Sequence, residues 1–155
     1  MSLIIATGSN LKNKKENLSL AKEILCTQFN LIAESDIFES VAVDYLDQPD
    51  FYNQLLEFEI PKAIPSDVMA KLLDIEKQMG RMRVFDKGPR VIDIDIIFWS
   101  NESFKFQNLT VPHPRWTERS FVVRPLQQLP FFKTIEKCFK IPNEFKIEAK
   151  PIKTK

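Results

Sequence analysis

Asp93 and Asp95 stand two residues apart in the stretch Lys87-Gly88-Pro89-Arg90-Val91-Ile92-Asp93-Ile94-Asp95-Ile96-Ile97-Phe98. Gly88-Pro89 punctuates a loop, and the β-branched apolar run after it predicts a strand. Strand side chains alternate between faces, so the pattern sends Ile92, Ile94, Ile96 and Phe98 one way and both aspartates the other. Residues two apart on a strand are separated by roughly 6.5–7 Å, a spacing at which two carboxylates can hold two hard cations between them. Magnesium suits such a pair, because it takes one or two carboxylates from a protein and fills its octahedron with water and phosphate oxygens. Arg90, three residues before the first carboxylate, suits a bidentate grip on a phosphate. Any half-exposed antiparallel strand also carries alternating polar residues. The company favours chemistry: Arg81-Met82-Arg83 lies upstream, and the loop Thr110-Val111-Pro112-His113-Pro114 lies downstream.

Composition narrows what such a site can be. The chain has 155 residues, which suits one domain (1–155) with a proper core, and 44% of them are apolar, which excludes a disordered chain. The 22 basic residues are balanced by 21 acidic ones, so a general polyanion binder is excluded and any anion site must arise from local clustering. Gly8, Gly80 and Gly88 are the only glycines, too few for a P-loop, a dinucleotide fingerprint or a kinase glycine loop. With one histidine, His113, a poly-histidine metal site is excluded. Phosphate handling would fall to arginines and magnesium. Cys26 and Cys138 lack metal-ligand spacing and read as reduced thiols. No leader-like segment precedes the first strand and no apolar run approaches ~18 residues. The expectation is a soluble, cytoplasmic protein, monomeric, with small-molecule substrates and neither nucleic-acid nor membrane partners.

The elements that would carry these residues follow from periodicity. Leu3 to Thr7 predicts a buried strand ended by Gly8-Ser9-Asn10-Leu11. From about Lys14 to Phe29 the stripe Leu18, Ala21, Leu25, Phe29 predicts a helix. Leu31 to Phe38 predicts a strand, Ser40 to Asp50 a loop, and Phe51 to Ile60 a strand with Phe51, Asn53, Leu55 and Glu57 on one face. Pro65 opens a helix with the stripe Val68, Leu72, Ile75, Met79, and Gly80 is placed to cap it. After the aspartate strand come a weak strand near 104–109, the His113 loop and a short helix near 120–128. The tail from about 142 reads as peripheral. The order β-α-β-β-α-β predicts an α+β fold, a ferredoxin-like core with helices packed on an antiparallel sheet and C-terminal additions. That fold hosts many activities and assigns none.

Five strings together resemble the 6-hydroxymethyl-7,8-dihydropterin pyrophosphokinase family. They are Gly8-Ser9-Asn10-Leu11, Asp47-Gln48-Pro49-Asp50-Phe51-x-Asn53, Gly80-Arg81-x-Arg83, Gly88-Pro89-Arg90-x-x-Asp93-Ile94-Asp95 and Val111-Pro112-His113. The similarity runs from Leu3 to about Leu129, in the family's order and at its spacing. It implies transfer of a diphosphate from ATP to a pterin alcohol in folate synthesis, with Asp93 and Asp95 binding two magnesium ions. It implies a nucleotide site lined by Arg81, Arg83, Arg90, Ile96, His113 and Arg119, with Glu76 and Thr110 nearby, and catalytic roles for Arg81 and Arg90 beside the aspartates. It also implies a pterin held between Phe51 and Phe121, its polar edge read by Asn53 and by groups around Ser40, Val41 and Val43. The sequence departs from the family pattern in a loop between Arg83 and Gly88 one residue shorter, and at Val41, Val43, Leu73, Lys87 and Pro114.

Charge and chemistry accord with those roles. ATP carries about −4, and two magnesium ions with two aspartates bring the total to about −2, which arginines would finish neutralising. Phosphoryl-type transfer needs alignment and charge stabilisation rather than a covalent catalyst. Singly, Phe51 and Phe121 read as core, His113 as structural, and the arginines as surface charge, as Arg115 does. Two other functions would use the same features. A two-metal phosphohydrolase would direct water at the same aspartate pair. Against a ferredoxin-like RNA-binding module stand the near-neutral charge and the absence of an aromatic RNP string on the strands.

Overall fold

The computed structural model describes residues 1–42, 47–80, 89–106 and 108–152. Its sheet is built around β1 (Ser2–Ser9), which pairs antiparallel with β5 (Asp93–Trp99) on one side and β4 (Phe51–Glu59) on the other. β4 also pairs with β2 (Leu31–Glu34) and β3 (Phe38–Ser40), and β8 (Lys150–Pro151) adds to β3. The order β5-β1-β4-β3-β8 is antiparallel throughout. With α1 (Lys14–Gln28) and α2 (Pro65–Gln78) as the two crossovers, this is the ferredoxin-like arrangement.

One expected strand is broken. Residues 31–38 form β2 and the start of β3, separated at Ser35. There the Ser35 hydroxyl accepts the N–H of Leu55 at 3.0 Å, and the Gln54 side chain donates to the Ser35 carbonyl at 2.8 Å. Side chains take over backbone bonds at this point, and the regular ladder lapses.

α1 and α2 cover one face. Leu18, Ala21 and Leu25 of α1 and Val68, Leu72 and Ile75 of α2 recur at helical spacing and pack on Leu3, Ile5, Leu56, Phe58, Ile94 and Ile96. Each such side chain contributes about 1.5–3 kcal/mol when fully buried. Pro65 begins α2 where its missing N–H costs nothing. Gly80, at φ +85°, ends it with its N–H on the Lys77 carbonyl at 3.0 Å, a left-handed turn that a side chain would strain.

A second cluster of described residues lies on the other face. Ile4, Leu55, Ile97 and Phe98 lie under Trp116, Val122, Val123 and Leu126, contributed by a 3-10 turn (Trp116–Glu118) and α3 (Ser120–Leu126), and under Ile135 of α4 (Phe132–Cys138). Phe98 was expected beside Ile94 and Ile96. Ile5 pairs with Ile96 but Ile4 with Phe98, so Ile97 is an extra residue in a β-bulge. The alternation resets there, Phe98 turns to the second face and Trp99 to the first. The expected weak strand is a hairpin of β6 (Phe104–Phe106) and β7 (Leu109–Val111). The segment from 142, expected to be peripheral, keeps most side chains exposed yet is tied to α3 and β3. No described helix is long and apolar enough to cross a membrane.

Candidate active site

The end of the second face that carries Asp93 and Asn53 presents two rows of side chains set by register. In one, Asp93 opposes Gly8, and Gly8 opposes Asn53; in the next, Asp95 opposes Ala6, and Ala6 opposes Leu55. Two inter-strand spacings separate β5 from β4, about 10 Å. The smallest residue types thus form a floor between the carboxylates and the amide of Asn53. Space there is tight: a Cβ on Gly8 would lie 2.9 Å from Asn53 Oδ1 and 3.8 Å from Phe51 Cδ1.

On the far side of the floor, Asn53 Nδ2 donates to Ser40 Oγ at 2.9 Å, and Ser40 opposes Phe51 across β3–β4. Phe51 is half-buried at the first residue of β4. Phe121, on α3, is also half-buried and packs against the second-face cluster. Val41 is exposed beyond the end of β3.

On the near side, Arg90 joins the two halves. Its Nη1 lies 3.7 Å from Asp93 Oδ2, and its Cζ stands 5.1 Å above the Phe51 ring. Its backbone is clamped by Asn10, which is 1% exposed: Arg90 N–H donates to Asn10 Oδ1 at 2.8 Å, and Asn10 N–H to the Arg90 carbonyl at 3.2 Å. Asn10 Nδ2 donates to Gln48 Oε1 and the Pro49 carbonyl, so one amide holds the loops at 10, 48 and 90 together. Sequence reasoning took Asn10 as part of a strand end and of the Gly8-Ser9-Asn10-Leu11 string, with no role of its own. A polar residue in a Gly-Ser-Asn turn beside a buried strand was the available signal.

His113 is neutral here. Burial and the Arg119 guanidinium lower its pKa to about 4, with Arg115 adding and Asp93 opposing. Its Nδ1 accepts the Arg115 N–H at 3.2 Å, leaving the proton on Nε2. Its own N–H donates to the Ile97 carbonyl at 2.9 Å, which holds the loop on β5. Arg119 Cζ lies 5.5 Å from the Phe121 ring. Arg115, read from sequence as plain surface, therefore belongs to the rim of this group.

Three expected residues occupy the outer edge of β5 instead. Glu76, on the buried stripe of α2, accepts the Ile94 N–H through Oε2 at 2.7 Å. The Ile96 side chain is buried among the core helices, so only its main chain, which faces the same edge as that of Ile94, can meet a nucleotide. Thr110, half-buried in β7, pairs with Lys105. Val43, Arg81 and Arg83, and with them Lys87 and Gly88, lie outside the described residues.

Among the described residues no cluster of three or more His, Cys, Asp or Glu side chains is set for a metal. Two carboxylates on one strand face are instead the donor set of magnesium shared with phosphate. The Arg90 Nε is buried with no hydrogen-bond partner among the described residues. A permanently charged donor left unmet beside the aspartates fits an anionic oxygen.

Comparison with known proteins gives the family. A family model described as 7,8-dihydro-6-hydroxymethylpterin-pyrophosphokinase (HPPK) matches residues 4–130. The 2-amino-4-hydroxy-6-hydroxymethyldihydropteridine pyrophosphokinase of Bacillus subtilis is 34% identical over 127 residues, 81% of this chain and 75% of that protein. The folic acid synthesis protein fol1 of Pneumocystis carinii is 37% identical over 126 residues, 81% of this chain but 17% of that protein. The chain likewise spans only 19% of the Dictyostelium discoideum protein FOL1. A crystal structure of Plasmodium falciparum HPPK-DHPS superposes with a TM-score of 0.60 at 14% identity, covering 81% of this chain and 39% of that one, and shares the fold. With the family model matched over residues 4–130 and a relative 34% identical over 127 residues, the chain belongs to the 7,8-dihydro-6-hydroxymethylpterin-pyrophosphokinase family.

Proposed function

We propose that this chain performs its family's reaction at the end of the second sheet face that carries Asp93 and Asn53, with ATP over Asp93 and Asp95 and the pterin over Asn53. The observation that supports the reading is the row Asp93–Gly8–Asn53, in which a carboxylate and an amide flank a residue without a side chain. Asp93 and Asp95 would hold two magnesium ions, which supply charge neutralisation at the phosphates. Arg90, fixed by Asn10, holds phosphate oxygens through the donor left unmet at Nε. His113 offers Nε2–H as a neutral donor, and Arg119 adds charge; Arg81 and Arg83 complete the arginine set by resemblance. Phe51 and Phe121 sandwich the pterin, and Asn53 and Ser40, bonded to each other in this structure, turn to its amide-like edge with groups near Val41 and Val43.

The pterin hydroxymethyl oxygen attacks the β-phosphorus in line. The bond from that phosphorus to the α,β-bridging oxygen breaks, and AMP leaves with that oxygen while the hydroxyl proton goes to solvent. Alignment across the floor and fixed positive charge account for the rate. Small-molecule substrates, a monomeric state and cytoplasmic residence go with this reading. Phosphorus NMR of ATP, magnesium and 6-hydroxymethyl-7,8-dihydropterin with the protein tests it: AMP and a pterin diphosphate should appear together. AMP formed equally without pterin would make the site a phosphohydrolase.

A further inference from the structure

Ser120 opens α3 directly beside Phe121 and is 2% exposed. Its hydroxyl donates to the Ile147 carbonyl at 2.7 Å and accepts the Ala149 N–H at 2.8 Å. The chain then runs into β8, which pairs with β3, and Ile152 N–H donates to the Ile37 carbonyl at 2.9 Å. Arg124, one turn beyond Ser120, pairs with Glu148, donates to the Asn143 carbonyl at 2.9 Å and lies 5.1 Å from the Phe145 ring. Residues 143–152 are thus a strap from α3 to β3. α3 carries Phe121; β3 carries Ser40, the partner of Asn53. The strap joins two sides of one slot that come from distant parts of the chain, and it lies beyond the family match, which ends at residue 130.

We propose that Ser120 is a positioning residue for the pterin slot, fixing Phe121 against the Ser40–Asn53 wall through the strap. The inference rests on the slot reading above. A two-residue strand pair is weak alone. The doubly bonded, buried hydroxyl is therefore what decides whether the strap stays docked, since losing it leaves the Ala149 N–H without its acceptor. Phosphates are held on the opposite side of the floor, so nucleotide binding depends on the strap far less. Linkage makes the coupling reciprocal: pterin must tighten the strap by the factor with which the strap tightens pterin.

Amide hydrogen exchange at Ala149 and Ile152 in the full chain, with and without 6-hydroxymethylpterin, tests this directly. The pterin should slow exchange at Ala149 by about threefold or more, and an unreactive ATP analogue should slow it much less. Ser120→Ala should raise the pterin KM by about three- to tenfold with kcat and the ATP KM little changed. Exchange at Ala149 indifferent to pterin overturns the proposal, as does a Ser120→Ala that weakens both substrates alike. If Ser120→Ala does not fold, exchange in the unaltered chain decides. Phe121→Ala separates the two layers. Retained pterin affinity in that variant refutes the slot itself, and the role of Ser120 with it, whereas lost affinity there beside unchanged Ser120→Ala refutes Ser120 alone.

Discussion

The Glu76 carboxylate on α2 accepts the backbone N–H of Ile94 at 2.7 Å, at the residue that lies between the two aspartates. Glu76 is a charge on an otherwise apolar helix stripe, 4% exposed, and the N–H of an edge strand gives it a partner. The contact pins β5 to the helix layer while Asp93 and Asp95 point to the other side of the sheet.

Glu76→Ala should therefore loosen β5 from the helix layer. Removing the acceptor of a buried N–H costs about 1–3 kcal/mol. At this chain length each kcal/mol lowers Tm by roughly 2–4 °C. Glu76→Gln keeps an acceptor and should recover part of the loss. Thermal unfolding of both variants, with the magnesium concentration for half-maximal rate, checks it; a wild-type Tm for the alanine variant would contradict it.

Asp93→Asn and Asp95→Asn should each nearly abolish turnover with the fold intact. On the proposed reading each would lose charge and a magnesium ligand at the reacting phosphates, a loss of several kcal/mol or about a thousandfold or more in rate. Steady-state rates in saturating magnesium, beside circular dichroism, decide it. Wild-type-like rates for both would remove the metal assignment.

Gly8→Ala should damage pterin binding more than nucleotide binding. The new Cβ would press on Asn53 Oδ1 at 2.9 Å, and Asn53 is buried and bonded to Ser40, so it has little room to retreat. Overpacking of this kind costs about 1–3 kcal/mol. Titration calorimetry with a pterin and with an ATP analogue separates the two affinities, and equal losses would count against the arrangement of the floor.

His113 gives the protein a pH signature. Its folded pKa, about 4, lies below the ordinary value of 6.5, so the unfolded chain takes up a proton at a pH where the folded one does not. The neutral, buried imidazole thus supports the fold above about pH 6.5, and that support is lost as pH falls from there toward about 4. As the chain has one histidine, its imidazole proton resonance can be followed without ambiguity. It should titrate near pH 4 in the ligand-free, metal-free protein, and a midpoint near 6.5 would show an exposed ring.

How much of this was legible beforehand differs from residue to residue. The alternation Ile92-Asp93-Ile94-Asp95 sorted the aspartates from the core because successive strand residues must face opposite ways, and that is local. The same rule misplaced Phe98, since a bulge is an extra residue measured against a partner strand and β1 alone reveals it. The stripes of α1 and α2 were visible in the helical period, but α4 and β8 were not. The seven-residue helix and two-residue strand are stabilised by what they dock on rather than by their own period.

By itself the sequence determined the faces of the strands and helices, the βαββαβ order and the set of residues able to handle phosphate, because these depend on chain-local geometry and residue chemistry. The tertiary structure decided who stands opposite whom. Gly8 lies between Asp93 and Asn53, Asn10 clamps Arg90, Glu76 grips β5 from its outer edge, and Ser120 holds a strap arriving from the far end of the chain. Register and docking are agreements between distant segments, and no local period encodes them. The low pKa of His113 is of the same kind, since it comes from the surroundings that packing collects around the ring and from charges on neighbouring elements.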